Sequence, residues 1–463
     1  MTRRYTTIAV ALVALVFTST VAFADSYDRK NSKKDQFLLR TSDIDGVVAQ
    51  FGVTVIRQHG SPSGDVWLVK APEGSSPSDV LAAMESSGTI SSGEEVTLAG
   101  LPALELAGRA ARAITVSDRS GSISTPCLDS HMPEAWSGFS DQSAANRVRV
   151  EEAQVYGCGE NVVVAVIDTW IDGGHSHLQN AMVPGYNFLT EGQANFAEST
   201  HGLDARFQSI LESSETALLA GSGASTVELA NSVVLVGETD SELEAALAEM
   251  PPYYGHGTMT AGLIRIVAPG ARIMPLVAFD DYGSGHPYDV VRAIYYAVDH
   301  GAHVINMSFS MENPSNELLA ALEYARSNGV IPVAASGNRG NLEYAFPASY
   351  SAAIGVASTD ENDQLTEFSN YGILTADITA PGTDLVTLFP GGTYAVGWGT
   401  SFSTPMVAGA VALIRLRHNG TNKGSHKNTR YDLLIGGTYY SYLWDYIYSG
   451  RRLDAYGAVL EAL

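Results

Sequence analysis

Only two of the 463 residues are cysteine, and charged side chains are scarce at 17%. A disulfide-stapled mini-domain is thereby excluded, and with 45% hydrophobic residues the chain supports a genuine core, unlike disordered, collagen-like or coiled-coil sequences. Basic residues are the scarcer charge: 27 Lys and Arg face 50 Asp and Glu, a formal net charge of -23. Polyanionic partners, nucleic acid and anionic membrane surfaces alike, are disfavoured by that field. After the first 24 residues no stretch offers the ~18 uninterrupted apolar positions of a membrane-spanning helix, and no fixed-period repeat is present. The acidity is uneven. Residues 1–126 hold 12 basic and 13 acidic groups, leaving 15 and 37 for residues 127–463, so two segments with different surfaces are expected.

The first 24 residues run from Arg3-Arg4 through an apolar core, Ile8 to Phe17, to Ala22-Phe23-Ala24, the order of a secretory signal. Export to a secreted or periplasmic location is the expectation. In an oxidising compartment a Cys127–Cys158 bridge is expected, stabilising by ~3 kcal/mol. Two buried free thiols are the alternative, and spacing alone does not choose between them.

Residues 36–101 alternate between strand and helix patterns: Gln36 to Arg40, a helix Ile44 to Phe51, Val53 to Arg57, Val66 to Val69, a helix from a Ser78-Asp79 cap through Met84, then Glu95 to Leu98. The order βαββαβ predicts a compact ferredoxin-like α+β unit. Residues 102–126, rich in Ala, Ser and Gly with Arg109 and Arg112, read as an exposed linker open to proteolysis. From residue 127 the pattern becomes α/β. Buried strands at Val162 to Ile167, Arg272 to Val277, Val304 to Met307 and Val330 to Ala335 alternate with helices at Asp289 to Asp299, Asn316 to Ser327 and Pro405 to Arg417, predicting a doubly wound, mostly parallel sheet. Residues 189–252 interrupt the alternation with 11 acidic groups against the single Arg206.

Three short segments fall where such a sheet places functional groups, at strand ends and helix starts. Asp168 ends Val166-Ile167-Asp168, His256 lies in Gly255-His256-Gly257, and Ser401 lies in Gly399-Thr400-Ser401-Phe402-Ser403-Thr404-Pro405. Serine needs a base to attack a carbonyl at neutral pH; histidine titrates nearest that range, and a carboxylate behind the imidazole fixes its tautomer. A developing oxyanion needs donors. Asn338, in Ala335-Ser336-Gly337-Asn338, supplies an amide, with the Ser401 N–H as its partner. Each segment alone is weak; together, in the order Asp, His, Ser, they specify one of the three known triad orders. An esterase or lipase is disfavoured because Ser401 lacks the Gly-x-Ser-x-Gly elbow.

With these residues in place, the chain resembles the subtilisin-like serine endopeptidases (subtilases, peptidase family S8) over residues 142–463. The resemblance is carried further by Gln142 to Ala153 as a leading helix, Pro347-Ala348, Phe368-Ser369-Asn370-Tyr371-Gly372, Ala380-Pro381-Gly382 and Gly450 to Ala455. It implies a subtilisin-like catalytic domain over 127–463, with Asp168 as orienting carboxylate, His256 as general base, Ser401 as nucleophile and Asn338 as oxyanion donor. It further implies a zymogen: a propeptide at 25–101 that assists folding and then blocks the cleft, removed by self-cleavage within 102–126. Ser308-Phe309-Ser310 and Ala335-Ser336-Gly337 would be the backbone edges that pair with an extended substrate. Arg339 would stand at the rim of the specificity pocket and Ala345 at its floor, favouring cleavage after apolar or aromatic residues.

Two departures from the family pattern stand out. Trp170 occupies a position usually held by glycine, which would strain the turn if φ there were positive, and Ser308-Phe309-Ser310 replaces the usual Ser-Leu-Gly. The alternative to an active endopeptidase is therefore a slow or inactive subtilase scaffold that acts as a protein-binding module. Expected partners are polypeptide substrates and the chain's own propeptide, with no nucleic acid or membrane, acting as a monomer. The chemistry requires no cofactor. The 189–252 insertion reads either as a solvated excursion or as a lid or calcium-holding loop, and it lacks an EF-hand spacing. Asp172, His175, His177 and His201 lack a clean metal motif, so structural or solvated roles are expected.

Overall fold

The computed structural model describes residues 35–95 except 63, 99–100, 125–194 except 134 and 136, 225–229, 233–237, 251–418 except 252, and 426–463. The expected signal, most of the 102–126 linker and most of the 189–252 insertion lie outside them, as does His201.

The N-terminal unit comprises β1 (Gln36–Arg40), α1 (Ile44–Phe51), β2 (Thr54–His59), β3 (Val66–Lys70), α2 (Pro77–Ser87) and β4 (Ser92–Glu95). Its sheet has the order β2-β3-β1-β4 with antiparallel pairs, the ferredoxin-like arrangement. Local chemistry sets the ends of α1: the Asp43 carboxylate accepts from the Gly46 N–H at 2.9 Å, and Gly52 closes the helix at φ 68°. The second helix begins at Pro77 after Ser76, earlier than the Ser78-Asp79 cap, because proline fits the first helical position. The last strand ends at Glu95; residues 96–98 are outside the described set.

In the large domain Thr125 caps a short helix, Pro126–His131, by accepting from the Leu128 N–H. The expected leading helix over 142–153 is broken into α3 (Ser143–Arg147) and α4 (Val150–Gln154), because Arg149 between them takes a left-handed φ of 58°. The central sheet then contains β6 (Val163–Asp168), β9 (Arg272–Val277), β11 (Val304–Met307), β12 (Ile331–Ala335), β13 (Ile354–Thr359) and β14 (Ile378–Pro381). These six strands lie parallel in the order β14-β13-β12-β11-β6-β9, with short strands added at both edges. Val164 and Val166 face one core with α5 (His256–Val267) and α8 (Thr400–His418), while Ala165 and Ile167 face another with α6 (Pro287–Asp299) and α7 (Asn316–Ser327). Both sheet faces are thus covered, which is why the strands read as continuous apolar runs.

The insertion is not wholly a detached excursion. Its backbone forms a hairpin, β7 (Ser225–Leu229) and β8 (Val233–Gly237), and β8 pairs antiparallel with β16 (Thr393–Gly397), which pairs with β15 (Leu385–Phe389). Outside this sheet, β5 (Ala99–Gly100) pairs antiparallel with β10 (Ser284–Gly285), joining the N-terminal segment to the large domain. Cys127 and Cys158 form a disulfide with their Cα atoms 5.5 Å apart.

Candidate active site

The parallel strands converge on one end of the sheet, and the four chemically marked residues gather there. Asp168 is the last residue of β6 and is fully buried. His256 is the first residue of α5, and its Nδ1 lies 2.7 Å from Asp168 Oδ1. The same carboxylate accepts from the Thr169 N–H at 2.7 Å and from Thr260 Oγ1 at 3.3 Å. Helix α5 can start this close to β6 because residue 257 is glycine: a Cβ there would lie 2.5 Å from the Thr169 carbonyl oxygen. The junction is tied further by the Gly257 N–H donating to Thr169 Oγ1 at 3.0 Å.

Ser401 lies in the first turn of α8, not ahead of it, because the helix begins at Thr400 and carries Pro405 inside. Pro405 has no N–H for the carbonyl four residues back, that of Ser401. That carbonyl instead accepts the Ser308 hydroxyl at 2.8 Å, while Ser401 Oγ donates to the Ser308 carbonyl at 3.1 Å. Three of the first four amides of α8 are satisfied: Thr400 N donates to Asn338 Oδ1 at 2.9 Å, and Phe402 N and Ser403 N donate to the Gly399 carbonyl. The Ser401 N–H is the fourth. Asn338 Oδ1 also accepts Thr400 Oγ1 at 2.8 Å, which fixes the amide's orientation and turns its Nδ2 end the other way. Phe402 packs against the His256 ring at 5.5 Å, so the Asp168–His256 pair and the start of α8 share one wall.

The other expected site residues fall as follows. Ser308 is tied to Ser401 as above, Phe309 is buried against Phe279 with ring centroids 4.9 Å apart, and Ser310 is half-buried. In the Ala335-Ser336-Gly337 segment, Ala335 pairs with Val356, the Ser336 N–H donates to the Val356 carbonyl, and the Gly337 N–H donates to Thr400 Oγ1. A further edge, Ser284–Gly285, pairs with the extended Ala99–Gly100. Sequence reading missed it; the signal was Gly283-Ser284-Gly285, small residues beside the Asp280 turn that leave the backbone open. Thr400, which holds Asn338, was also missed. Ala345 is buried beneath Gly337. Arg339 ion-pairs with Glu312 and lies 3.6 Å from Glu343.

Trp170 is buried and is not among the non-glycine residues with positive φ, so the expected strain is not there. His175 and His177 are structural: their Nε2 atoms meet the Thr393 carbonyl at 3.2 Å and the Tyr394 hydroxyl at 3.0 Å. Asp172 accepts the N–H groups of Gly174 and Gly391. Burial pushes His177 down to about 4, as expected for an imidazole kept neutral. Among the described residues His131, Cys158 and Glu160 cluster closely enough to suggest a metal, but the Cys158 sulfur is spent in the disulfide.

Residues 159–434 match the Subtilase family, Peptidase_S8. A thermophilic serine proteinase of Bacillus sp. (strain AK1) is 31% identical over 298 residues, 64% of this chain and 61% of that protein. Thermitase of Thermoactinomyces vulgaris is 37% identical over 217 residues, covering 44% of this chain and 75% of thermitase. Subtilisin Savinase of Lederbergia lenta is 39% identical over 173 residues, 35% of this chain and 64% of Savinase. The fold is similar to that of fervidolysin from Fervidobacterium pennivorans, a keratinolytic enzyme related to subtilisin: TM-score 0.66 at 22% identity, over 92% of this chain and 61% of that one. The aligned region thus spans under two thirds of the first relative's length.

Proposed function

Since the chain belongs to the subtilase family, we propose that it is a serine endopeptidase that hydrolyses peptide bonds through an acyl-enzyme on Ser401. The observation that carries this reading is the buried 2.7 Å contact of Asp168 with His256, set against the first turn of α8 where Ser401 lies beside Asn338. In this reading Ser401 Oγ turns from the Ser308 carbonyl toward His256 Nε2, the contact that joins nucleophile and base. His256 takes the hydroxyl proton as Oγ attacks the scissile carbonyl, and Asp168, itself fixed by Thr169 and Thr260, stabilises the imidazolium. Asn338 Nδ2 and the Ser401 N–H receive the oxyanion. The protonated imidazole then passes its proton to the leaving amine, and water repeats the sequence to free the acid. No cofactor takes part in these steps.

In the same reading the chain is an exported zymogen acting as a monomer. Residues 25–101 are the propeptide, and the pairing of Ala99–Gly100 with Ser284–Gly285 supports a role as intramolecular inhibitor, since it occupies a backbone edge that an extended substrate would use. Among the described residues no helix is long and apolar enough to cross a membrane. The test is labelling of Ser401 by a serine-directed fluorophosphonate. Labelling of the wild type and none of Ser401→Ala, which should also persist as uncut precursor, is the expected result; an unlabelled wild type purified after processing would favour the inactive scaffold.

A further inference from the structure

Six of the ten residues from Tyr439 to Tyr448 are aromatic, against 9% of the whole chain, and none of the steps above uses them. Packing accounts for only part of the run. Leu443 and Ile447 are fully buried with Ala357 and Ala376, and the Tyr440 and Tyr442 hydroxyls donate to the side chain and the carbonyl of Asp363. These four residues pin the segment and leave Tyr439, Trp444, Tyr446 and Tyr448 facing solvent. Their rings are nonetheless fixed. The Arg451 guanidinium lies over the Tyr439 ring, 5.8 Å from its centroid, and is itself held by donating to the Ile435 and Gly437 carbonyls. Arg430, ion-paired with Asp377, lies 5.5 Å from the centroid of Tyr448. Gly450, at φ +62°, sits between Tyr439 and Trp444, where a Cβ would come within 3.1 and 3.2 Å of the two rings. Tyr446 meets the Tyr371 ring edge to face at 5.3 Å. Exposures of 52% for Tyr439, 60% for Trp444 and 55% for Tyr448 fit rings that spend one side on the protein and keep the other for a partner. Rings already immobilised lose little entropy on binding.

The patch is tied to the site by a continuous run of backbone. The Asn370 N–H donates to the Gly337 carbonyl at 2.9 Å, and the Asn370 side chain accepts from the Arg339 N–H at 2.9 Å. Next in line, the Tyr371 N–H donates to the Asn341 carbonyl, and Tyr371 bridges to Leu342. The surface thus runs from Asn338 through Leu342 and Tyr371 to Tyr446. Charge and composition select the partner. Residues 426–463 carry four basic and four acidic groups, a neutral face on a domain with 15 and 37. A second copy of the chain would bring two such acidic domains together. Leu342, Ile373 and Leu374 are exposed at the Tyr371 end, which suits apolar side chains better than sugar hydroxyls. Tyr, Trp and Arg are also the residues enriched where proteins bind one another.

We propose that Tyr439, Trp444, Tyr446 and Tyr448 form an exosite that docks an apolar, weakly charged segment of a long polypeptide substrate, away from the bond being cut. This rests on the endopeptidase reading above. A segment held there raises the local concentration of the rest of the same chain at the cleft, lowering KM for long substrates and leaving kcat to the triad.

The test compares processed wild type, Trp444→Ala, Tyr448→Ala and Trp444→Phe on one internally quenched peptide, alone or extended at either end by a tail of about 30 residues, whose r.m.s. reach is about 30 Å. One tail is rich in Leu, Ile and Phe, the other is Gly-Ser. In wild type the apolar tail should lower KM by about 10-fold or more at one end at least, with kcat unchanged, and the Gly-Ser tail should not. Trp444→Ala and Tyr448→Ala should shrink that gain to within about threefold, Trp444→Phe should keep most of it, and the untailed peptide should be cut alike by all four. The inference is overturned if wild type gains nothing from the apolar tail, if both tails act equally, if both alanine variants keep the gain, or if the untailed peptide suffers as much as the tailed one. Dimerisation of wild type in light scattering, or its retention on a neutral polysaccharide, would overturn it too if Trp444→Ala abolished either, since the patch would then serve another occupant. Fluorophosphonate labelling of Ser401 separates the two readings. A labelled wild type with no tail effect sinks this inference alone, whereas an unlabelled one sinks the endopeptidase reading and this inference with it.

Discussion

Removing one cation should undock the N-terminal unit from the large domain. Arg40 of β1 ion-pairs with Glu317 in the first turn of α7, and its Nε lies 3.3 Å from the same carboxylate. Ser92 Oγ adds a hydrogen bond to Glu317 at 2.9 Å. The pair is nearly dry, with side-chain exposures of 12% for Arg40 and 3% for Glu317. Around it, Tyr288 of α6 packs with Leu38, Val66 and Leu68 of the unit, and Arg57 reaches Asp289 at 3.0 Å. Breaking a buried pair from one side costs ~3–5 kcal/mol, because the remaining charge is left without its partner. Here undocking returns Glu317 to water, so the lower figure applies: Arg40→Ala should raise the undocked population by about two decades, at ~1.4 kcal/mol per decade. The measurement is protease susceptibility of residues 36–95 in an uncleavable Ser401→Ala precursor, under conditions where cleavage reports the open population. Since Arg40 also bonds Ser61 and the Gly64 carbonyl within its own unit, the single variant is not sufficient. Arg40→Met with Glu317→Leu should restore protection to within about tenfold, because an apolar pair of similar bulk carries no desolvation penalty. A change of less than about threefold in Arg40→Ala, or a double variant as open as the single one, would refute the reasoning.

Asn338→Ala should lower kcat by ~10²- to 10³-fold with a smaller change in KM, because it removes a donor used most strongly in the transition state. Steady-state kinetics on one peptide decides it, and an unchanged kcat removes Asn338 from the oxyanion site. Reduction of the Cys127–Cys158 bridge, which spans a sequence separation of 31, should destabilise by about 3.5 kcal/mol from loop entropy, read by denaturant unfolding with and without reductant. Burial lowers His177 and His426 to about 4 from an ordinary 6.5. The folded state then binds fewer protons than the unfolded one between those values, so the stability these groups contribute is complete above pH 6.5 and lost as pH falls toward 4. Thermal melts should show His426→Gln losing less stability than wild type across that window, by on the order of 2 kcal/mol; parallel curves would contradict the assignment.

Much of this protein is decided by local sequence. Apolar runs such as Val163 to Ile167 and Val304 to Met307 suit strands buried on both faces, and the βαββαβ order of the N-terminal unit follows from periodicity and from caps such as Asp43 and Gly52. Asp168, His256, Asn338 and Ser401 are legible because the required chemistry allows few residue types, each marked by a strand end, a helix start or flanking glycines. The break at Arg149 and the start of α8 at Thr400 are not legible, since tertiary contacts override the local preference. The long-range partners are beyond sequence for a simpler reason. Nothing local joins Ser401 to Ser308 or Arg339 to Glu312, pairs 93 and 27 residues apart in the chain. Residue types determined which chemistry the chain carries. Only the packing of α5, α8 and the Ser284–Gly285 edge around one end of the sheet decided which backbone stays open, which charges are cancelled and which ring stands beside the histidine.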